Sequence, residues 1–332
     1  MTAQEQLLDA IGSIEEELLL KPKPVTVRRG HISLIAAVLT LVLACGAFAA
    51  ERLYGKTHME NIITGSGRFF FLDNQIYFEE SGRGILTLDT QSGSIDTIAT
   101  PDTGLRSLFM LNGRLGYVRG FQDVLLQTEI GTGWEVLLSG SYPRMHLDGT
   151  LLYSDNGTQL QRTDISTGEH TVLAQDTHGY FLDDSYLYVL VGNRGNVFLK
   201  SKKDHISFEE IPLSFHPAAI YVDGKDIYLS RYAALAEGEP NFRVIHYRDG
   251  VETPLPIYSG LLQAVGNTIY YLQNNTLKTY NTDTGAIEIL QDRVFEFSIL
   301  EERYLCITYL YDRGTEIQDL NTNATLYPAN RN

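Results

Sequence analysis

Cysteine is nearly absent from this sequence of 332 residues, in which only Cys45 and Cys306 occur. Cys45 lies in an apolar segment and Cys306 in the polar body, so the body cannot be built on a framework of disulfide bonds. Basic residues are also few, with 26 Lys and Arg against 41 Asp and Glu and a formal net charge of −15. A body this acidic repels a phosphate backbone, so we expect no nucleic-acid partner.

Motifs of catalysis and metal binding are missing as well. The eight histidines are scattered, without an H-E-x-x-H or H-x-H pattern, and neither a G-x-S-x-G elbow nor a glycine-rich phosphate loop occurs. Carboxylate pairs such as Glu79-Glu80 and Glu301-Glu302 are more simply interpreted as loop and turn residues than as an acid and a base. We therefore predict no cofactor, no metal site and no enzymatic activity.

Charge is wholly absent from residues 32–50, the segment ISLIAAVLTLVLACGAFAA from Ile32 to Ala50. As a helix it is just long enough to cross a bilayer core of roughly 30 Å. Four basic residues precede it closely: Lys21, Lys23, Arg28 and Arg29. This bias predicts a single-pass protein of the cell membrane with a cytoplasmic N-terminus and an extracytoplasmic body.

Three other interpretations of residues 32–50 stay open. The segment could be a signal peptide cut after Ala47-Phe48-Ala49, an A-x-A site. The four residues ending at Cys45, VLAC, vaguely match a lipobox, although Leu43 stands where a small residue is usual. A buried core helix is the third interpretation, but the repeats of the body have no place for it.

The polar head, residues 1–31, contains one helical pattern, over residues 5–20. Its apolar residues recur at spacings of three and four, which predicts a short amphipathic cytosolic helix that docks on a partner or serves as a spacer. The opening LLDAIG, the basic stretch and the single apolar span resemble the front end of membrane-anchored envelope proteins of Firmicutes, some of them anti-sigma-like. That resemblance implies a cytosolic partner for residues 5–20. A linker, residues 51–65, follows the span.

The body, residues 66–328, repeats a phrase of an apolar residue, a turn pair and an apolar-Tyr-apolar run. Seven copies begin 35 to 43 residues apart, at Leu72, Leu111, Leu147, Leu182, Val222, Val265 and Leu300. Pairs such as Asn112-Gly113 and Asp148-Gly149 favour tight hairpins, because these residues tolerate a positive φ.

A second phrase follows about 16 residues later in several repeats, as in LDTQSG at residues 88–93 and NTDTG at residues 281–285. It predicts a turn between two more strands, so each repeat contains four. Seven such repeats predict an all-β fold, a seven-bladed β-propeller of four-stranded blades. An irregular array of β-sandwiches is the alternative.

The hairpin and turn phrases together resemble those of TolB-like bacterial envelope propellers. The resemblance covers about 260 residues and implies a fold and an extracytoplasmic setting, not a chemistry. The single tryptophan excludes the pattern of propellers whose blades are each docked by a tryptophan.

Arginines gather in the loops at one end of the predicted propeller. If the first strand of each blade is innermost, the loops between second and third strands contain Arg83, Arg119, Arg194, Arg231 and Arg313. The segments that begin the blades contain Arg68, Arg106 and Arg144, with His178 and His216 in two others. Guanidinium groups bind carboxylate and phosphate well, so we predict an anion-binding channel mouth. The alternative is that these arginines pair with neighbouring carboxylates, Glu79, Glu80, Asp123 and Asp312.

Three functions follow as expectations. The first is a non-enzymatic binding or sensing module, anchored through residues 32–50, that engages an anionic envelope ligand or an envelope protein on a propeller face. The second is a structural scaffold of an envelope protein complex. The third, with the least support, is a propeller-type enzyme acting on polysaccharide.

Overall fold

The computed structural model describes residues 68–80, 82–99, 105–120, 122–128, 133–140, 144–192, 196–231, 242–310 and 314–329. Within these ranges it consists of strands and turns, and no helix there is long and apolar enough to cross a bilayer. The predicted head, membrane segment and linker, residues 1–65, lie outside the described residues, as do Arg194 and Arg313. The side chains of Arg106 and Arg144 also lie outside them.

The described strands form seven antiparallel sheets of four, each made of consecutive strands. Blade 1 contains β1 (Phe69–Leu72), β2 (Gln75–Glu80), β3 (Gly84–Asp89) and β4 (Ile95–Ala99). Blade 2 contains β5 (Leu105–Leu111), β6 (Arg114–Arg119), β7 (Asp123–Gln127) and β8 (Trp134–Ser139). Blade 3 contains β9 (Arg144–Asp148), β10 (Leu151–Asp155), β11 (Gln159–Asp164) and β12 (His170–Gln175). Blade 4 contains β13 (Thr177–Leu182), β14 (Tyr186–Val191), β15 (Val197–Lys202) and β16 (Glu209–Pro212).

The remaining blades follow the same pattern. Blade 5 contains β17 (Pro217–Asp223), β18 (Asp226–Arg231), β19 (Arg243–Arg248) and β20 (Val251–Tyr258). Blade 6 contains β21 (Leu262–Val265), β22 (Thr268–Gln273), β23 (Thr276–Asn281) and β24 (Ile287–Asp292). Blade 7 contains β25 (Val294–Leu300), β26 (Tyr304–Tyr309), β27 (Thr315–Asp319) and β28 (Ala324–Tyr327). The prediction of a seven-bladed propeller with four-stranded blades is therefore confirmed.

The first strand of each blade lies innermost. Neighbouring first strands contact one another, as β1 does with β5 and with β25, and as β13 does with β17. The fourth strands are mostly exposed, as the burial of β4, β12 and β24 shows. Because β1 contacts both the second and the last blade, the ring is closed.

The hydrophobic core is divided among the blade interfaces. Seven clusters of buried residues are found among the described residues, and each spans one pair of adjacent blades. Between blades 4 and 5, for example, Phe181 and Leu190 pack with Val222 and Leu229. Each fully buried side chain of this size contributes roughly 1.5–3 kcal/mol, so stability is spread around the ring.

The seam between blades 7 and 1 closes the ring without exchange of a strand, because each blade is built from four consecutive strands. The Tyr327 ring packs edge-on against Phe78, with ring centroids 5.0 Å apart. The Tyr327 hydroxyl donates to the buried Glu80 carboxylate, and Arg83 Nη1 donates to the same hydroxyl at 2.6 Å. Side-chain packing and this hydrogen-bond network therefore hold blades 7 and 1 together without a shared strand.

The first hairpin of each blade is tight, as the repeated phrase predicts. In blades 1 and 2 both turn residues have positive φ, 49° and 64° at Asp73 and Asn74, and 49° and 73° at Asn112 and Gly113. Positive φ at both positions is the signature of a type I′ turn, whose twist matches that of the strands it joins.

Two hairpins differ from the predicted turn pair by one residue. Asp148 still pairs with Leu151 as part of the ladder, so the turn pair is Gly149-Thr150 instead of Asp148-Gly149. The same shift occurs at Gly224, whereas Gly266 begins its turn at the predicted pair Gly266-Asn267; both glycines have positive φ. Glycine at the first turn position fits a type II′ hairpin.

Blade 7 builds its type I′ turn from two glutamates. Glu301 and Glu302 have φ values of 51° and 53°, and the Arg303 N–H donates to the Leu300 carbonyl at 3.0 Å. The interpretation of this pair as structural agrees with that geometry. A residue with a Cβ atom in this conformation costs roughly 1–2 kcal/mol.

Replacing this pair by the preferred turn residues, Glu301→Asn with Glu302→Gly, is expected to stabilise the propeller by about 1 kcal/mol. Urea denaturation measures the change. The same two substitutions at Glu209 and Glu210 on the exposed strand β16 serve as the control and are expected to destabilise. No gain at Glu301 and Glu302 would contradict the assignment of strain to this turn.

Candidate functional site

Three of the predicted mouth arginines lie beside carboxylates. Arg68 Nε lies 3.2 Å from Glu296 Oε1, and its Nη1 lies 3.7 Å from Glu79 Oε2. Arg83 pairs with Glu80 at 3.2 Å. These contacts correspond to the alternative in which the arginines pair with neighbouring carboxylates.

Arg119 and Arg231 complete the described part of the set. Arg119 Nη2 lies 2.6 Å from Asp123 Oδ2, and this contact lowers the pKa of the Asp123 carboxyl. Arg231, at the end of β18, has an exposed side chain and makes no ion pair with any residue in the described ranges. The backbone of Arg106 lies in β5 and that of Arg144 in β9. The anion-binding mouth therefore stays a prediction.

A different site emerges when the innermost strands are compared by their pairing with the second strands. The tyrosine of the repeated phrase lies opposite one residue of the innermost strand in each of several blades. Its partners are Phe70 opposite Tyr77, Phe181 opposite Tyr188 and Tyr221 opposite Tyr228. In blade 3 the residue opposite Tyr153 is His146. Blades 2 and 6 place Leu108 opposite Tyr117 and Gln263 opposite Tyr270, so this position varies between blades and holds an imidazole in blade 3.

A second comparison concerns another position of the innermost strand, two residues before the one just described. Blade 1 has Arg68 and blade 7 has Glu296 there, and these side chains fill the inner wall with an ion pair. Blades 4 and 5 have Gly179 and Ala219 at the same position. Small residues leave the wall open on that side of the ring.

On this open side of the ring, a cavity of about 270 Å³ lies beside the innermost strands of blades 3 to 6. Its lining comes from residues 145–146 of β9, 178–182 of β13, 218–221 of β17 and 260–262 at the start of β21, with Leu190, Tyr228 and Ser230 from second strands. The lining includes no Asp, Glu, Lys or Arg among the residues that the structure describes. Aromatic rings and small apolar residues dominate it.

The polar groups of the cavity wall are mostly satisfied within the protein. The Tyr180 hydroxyl donates to the Tyr153 carbonyl at 3.0 Å, and the Ser230 hydroxyl donates to the Ser259 carbonyl. His146 differs, because its side chain makes no hydrogen bond to any described residue. His146 borders the cavity, where water or a bound molecule can form hydrogen bonds with its ring nitrogens.

The His146 imidazole is neutral at ordinary pH. The residue is 6% exposed, and burial lowers the pKa of its imidazole to about 3, with Asp148 opposing and Lys203 reinforcing the shift. Asp148 itself is paired with Lys203, whose Nζ lies 2.7 Å from Asp148 Oδ2. A neutral imidazole has one N–H donor and one nitrogen acceptor, and both can serve a bound molecule.

Besides His146, two more imidazoles lie at or beside the cavity, at the start of blades 4 and 5. His178 lies on the wall, and its ring centroid is 5.3 Å from that of His216. His178 Nε2 lies 2.9 Å from the Pro217 carbonyl oxygen, which links blades 4 and 5. These two residues mark the segments where the sequence analysis found histidine in place of arginine.

Sequence reasoning missed His146. A single histidine in the strand RMHLD carries no motif, and only the folded ring places it on the wall of a cavity. No group of three or more His, Cys, Asp or Glu residues that could hold a metal ion occurs in the parts of the chain that the structure covers.

No protein-family model matches this sequence, and no curated protein matches it either. Solved structures do resemble it in fold. The N-terminal domain of Nup159 superposes with a TM-score of 0.54 at 10% identity, covering 78% of this chain and 90% of that one. The extracellular domain of BT4673 from B. thetaiotaomicron, assigned as a one-component system, has a TM-score of 0.54 at 14% identity and covers 75% of this chain and 37% of that one.

An enzyme is among the similar structures too. Oligogalacturonate lyase from Vibrio parahaemolyticus has a TM-score of 0.50 at 12% identity, covering 75% of this chain and 85% of that one. These identities establish a shared fold alone, and the proteins differ widely in role. The function depends on the residues of this chain and not on its fold alone.

Proposed function

We propose that this chain is a non-enzymatic, membrane-anchored β-propeller that binds a ligand in the cavity beside blades 3 to 6. The observation that supports it best is His146, which is buried and lacks a hydrogen-bond partner among the described residues on the wall of that cavity. Apolar pockets with a few convergent polar groups are the usual form of small-molecule sites.

The asymmetry of the ring supports the same proposal. Blades 7 and 1 close their inner wall with Arg68 and Glu296, 3.2 Å apart, whereas blades 4 and 5 keep Gly179 and Ala219 there. A structural ring has no need of a cavity on one side, since larger residues at these positions would pack better. The cavity therefore favours a role in binding.

The proposed membrane location and orientation of this module rest on the sequence. Residues 32–50 are proposed to anchor it, with the head in the cytoplasm and the propeller outside. The amphipathic pattern of residues 5–20 supports a cytosolic partner that responds to the ligand. An anionic ligand at the channel mouth has less support, because Arg68, Arg83 and Arg119 each contact a carboxylate.

A scaffold of an envelope protein complex is the second candidate, and a specific surface favours it. The outer strand β24 of blade 6 exposes Ile287 and Ile289, the latter 67% exposed. Both lie at an unpaired sheet edge, where another protein can add a strand. A scaffold would use this edge and leave the cavity idle.

The test is extraction of the full-length protein from membranes in mild detergent, followed by mass spectrometry of the small molecules and proteins that it retains. Ala219→Leu extends an apolar side chain into the cavity, and Ala324→Leu on the exposed strand β28 is the matched control. We expect the first variant to lose a small molecule that wild type and control retain. Unchanged retention in Ala219→Leu, with partner proteins lost in Ile289→Lys, would favour the scaffold instead.

A further inference from the structure

We propose that the ligand of this cavity is an uncharged pyranose, either a free sugar or the terminal residue of a glycan, held by a hydrogen bond to His146 and by aromatic contacts. This inference rests on the proposed function, since it identifies the class of molecule that the same cavity takes. Three features of the wall support it: its lack of charge, its aromatic faces and the double hydrogen-bonding capacity of one imidazole.

The lack of charged side chains among the described lining residues disfavours an ionic ligand on energetic grounds. None of the described lining residues is Asp, Glu, Lys or Arg, and the nearby Asp148 and Lys203 already neutralise each other at 2.7 Å. A carboxylate or phosphate placed in the cavity would lose its hydration without gaining a counter-charge. An uncharged molecule has no such penalty.

The aromatic rings on the cavity wall suit the face of a puckered sugar ring that carries C–H groups. Phe181 and Tyr221 meet edge to face with centroids 5.3 Å apart, and Tyr221 lies 6.3 Å from Tyr228. All three line the cavity. The electron-rich face of an aromatic ring attracts the weakly positive C–H groups that cover one face of a pyranose.

The hydrogen-bonding capacity of His146 matches hydroxyl groups. The neutral imidazole offers one donor and one acceptor, and each sugar hydroxyl is both a donor and an acceptor. A single sugar hydroxyl can therefore bond to the ring nitrogen that faces the cavity, as an acceptor from its N–H or as a donor to its lone pair, in either tautomer.

The experiment titrates the full-length protein in detergent micelles with three probes by calorimetry: methyl glucopyranoside, galacturonate and adenine. We expect the uncharged glycoside to bind wild type and Ala324→Leu alike. It should bind Ala219→Leu and His146→Phe at least about tenfold more weakly, as expected for the loss of space or of one hydrogen bond. Galacturonate, also a pyranose but with one negative charge and the opposite configuration at C4, should bind wild type at least about tenfold more weakly than the glycoside.

Other results separate the ligand class from the site. Tighter binding of galacturonate or adenine, still lost in Ala219→Leu, would overturn the pyranose and leave the binding cavity standing. If no probe binds, while membrane-extracted wild type retains a small molecule that Ala219→Leu loses, the pyranose is again overturned and the binding cavity stands. Equal binding of the glycoside to wild type and Ala219→Leu would overturn both the ligand class and the cavity as its site.

Discussion

Acidification from about pH 7.5 to about pH 4.5 is expected to destabilise the propeller by about 2–3 kcal/mol through His146 alone. The imidazole has a pKa of about 3 in the folded protein and 6.5 as its ordinary value. Between these values the unfolded chain binds a proton that the folded chain does not, so the free energy of unfolding falls as the pH falls. The stability is complete above about pH 6.5 and is lost progressively down to about pH 3.

The measurement compares urea denaturation of wild type and His146→Phe at the two pH values. Other groups titrate in both proteins, so the difference between the two pH responses isolates His146. Val172→Phe, at an exposed position on β12, leaves every histidine in place and should respond to pH as wild type does. If wild type and His146→Phe lose the same free energy on acidification, then His146 is not buried as a neutral group.

Replacing Tyr327 by alanine is expected to cost about 3–5 kcal/mol, the range for removing a buried aromatic residue. Tyr327 is 5% exposed and packs on Phe78 across the seam between blades 7 and 1. The variant also leaves the buried Glu80 with one fewer donor. Because no strand is shared across this seam, the loss should open the ring at one place.

Hydrogen exchange distinguishes an open ring from a general loss of stability. In Tyr327→Ala the amides of blades 1 and 7 should exchange fastest. In Tyr280→Ala, a buried tyrosine between blades 5 and 6, fast exchange should stay near that interface. Tyr327→Phe, which keeps the ring but removes the hydroxyl between Arg83 and Glu80, should cost about 1–3 kcal/mol. Equal protection of all blades in Tyr327→Ala would contradict the special role of the seam.

The blade architecture could be predicted from the sequence because its signals are local. Each copy of the phrase places turn residues and alternating apolar residues within about ten positions, and the period then counts the blades. The shift of the turn at Gly149 was not predicted, because Asp-Gly can sit either at a type I′ turn or across the start of a type II′ turn. Backbone pairing between Asp148 and Leu151 decides the matter.

Contacts between distant blades could not be predicted in the same way. The link from Arg83 to Tyr327 joins residues 244 positions apart, and the pairing of Arg68 with Glu296 joins the first blade to the last. The sequence predicts arginines in the loops at one end of the propeller, which can either bind an anionic ligand or pair with neighbouring carboxylates. Geometry assigns a carboxylate contact to three of them, and no local pattern could have distinguished these two outcomes.

The residue opposite the repeat tyrosine differs from blade to blade. Blades 1, 4 and 5 have an aromatic ring there, whereas blades 2 and 6 have Leu108 and Gln263. What sets His146 apart is its place on the wall of the cavity, which no local pattern in the sequence could show.

The most direct test measures stability and ligand retention on the same sample of His146→Phe, at neutral pH in the full-length protein. Phenylalanine matches Phe70 and Phe181 at the corresponding positions and replaces the polar imidazole by an apolar ring. We expect a free energy of unfolding raised by about 1 kcal/mol, together with loss of the small molecule that wild type retains. A variant that is less stable than wild type, yet keeps the same small molecule, would contradict the claim that His146 is held polar for a ligand.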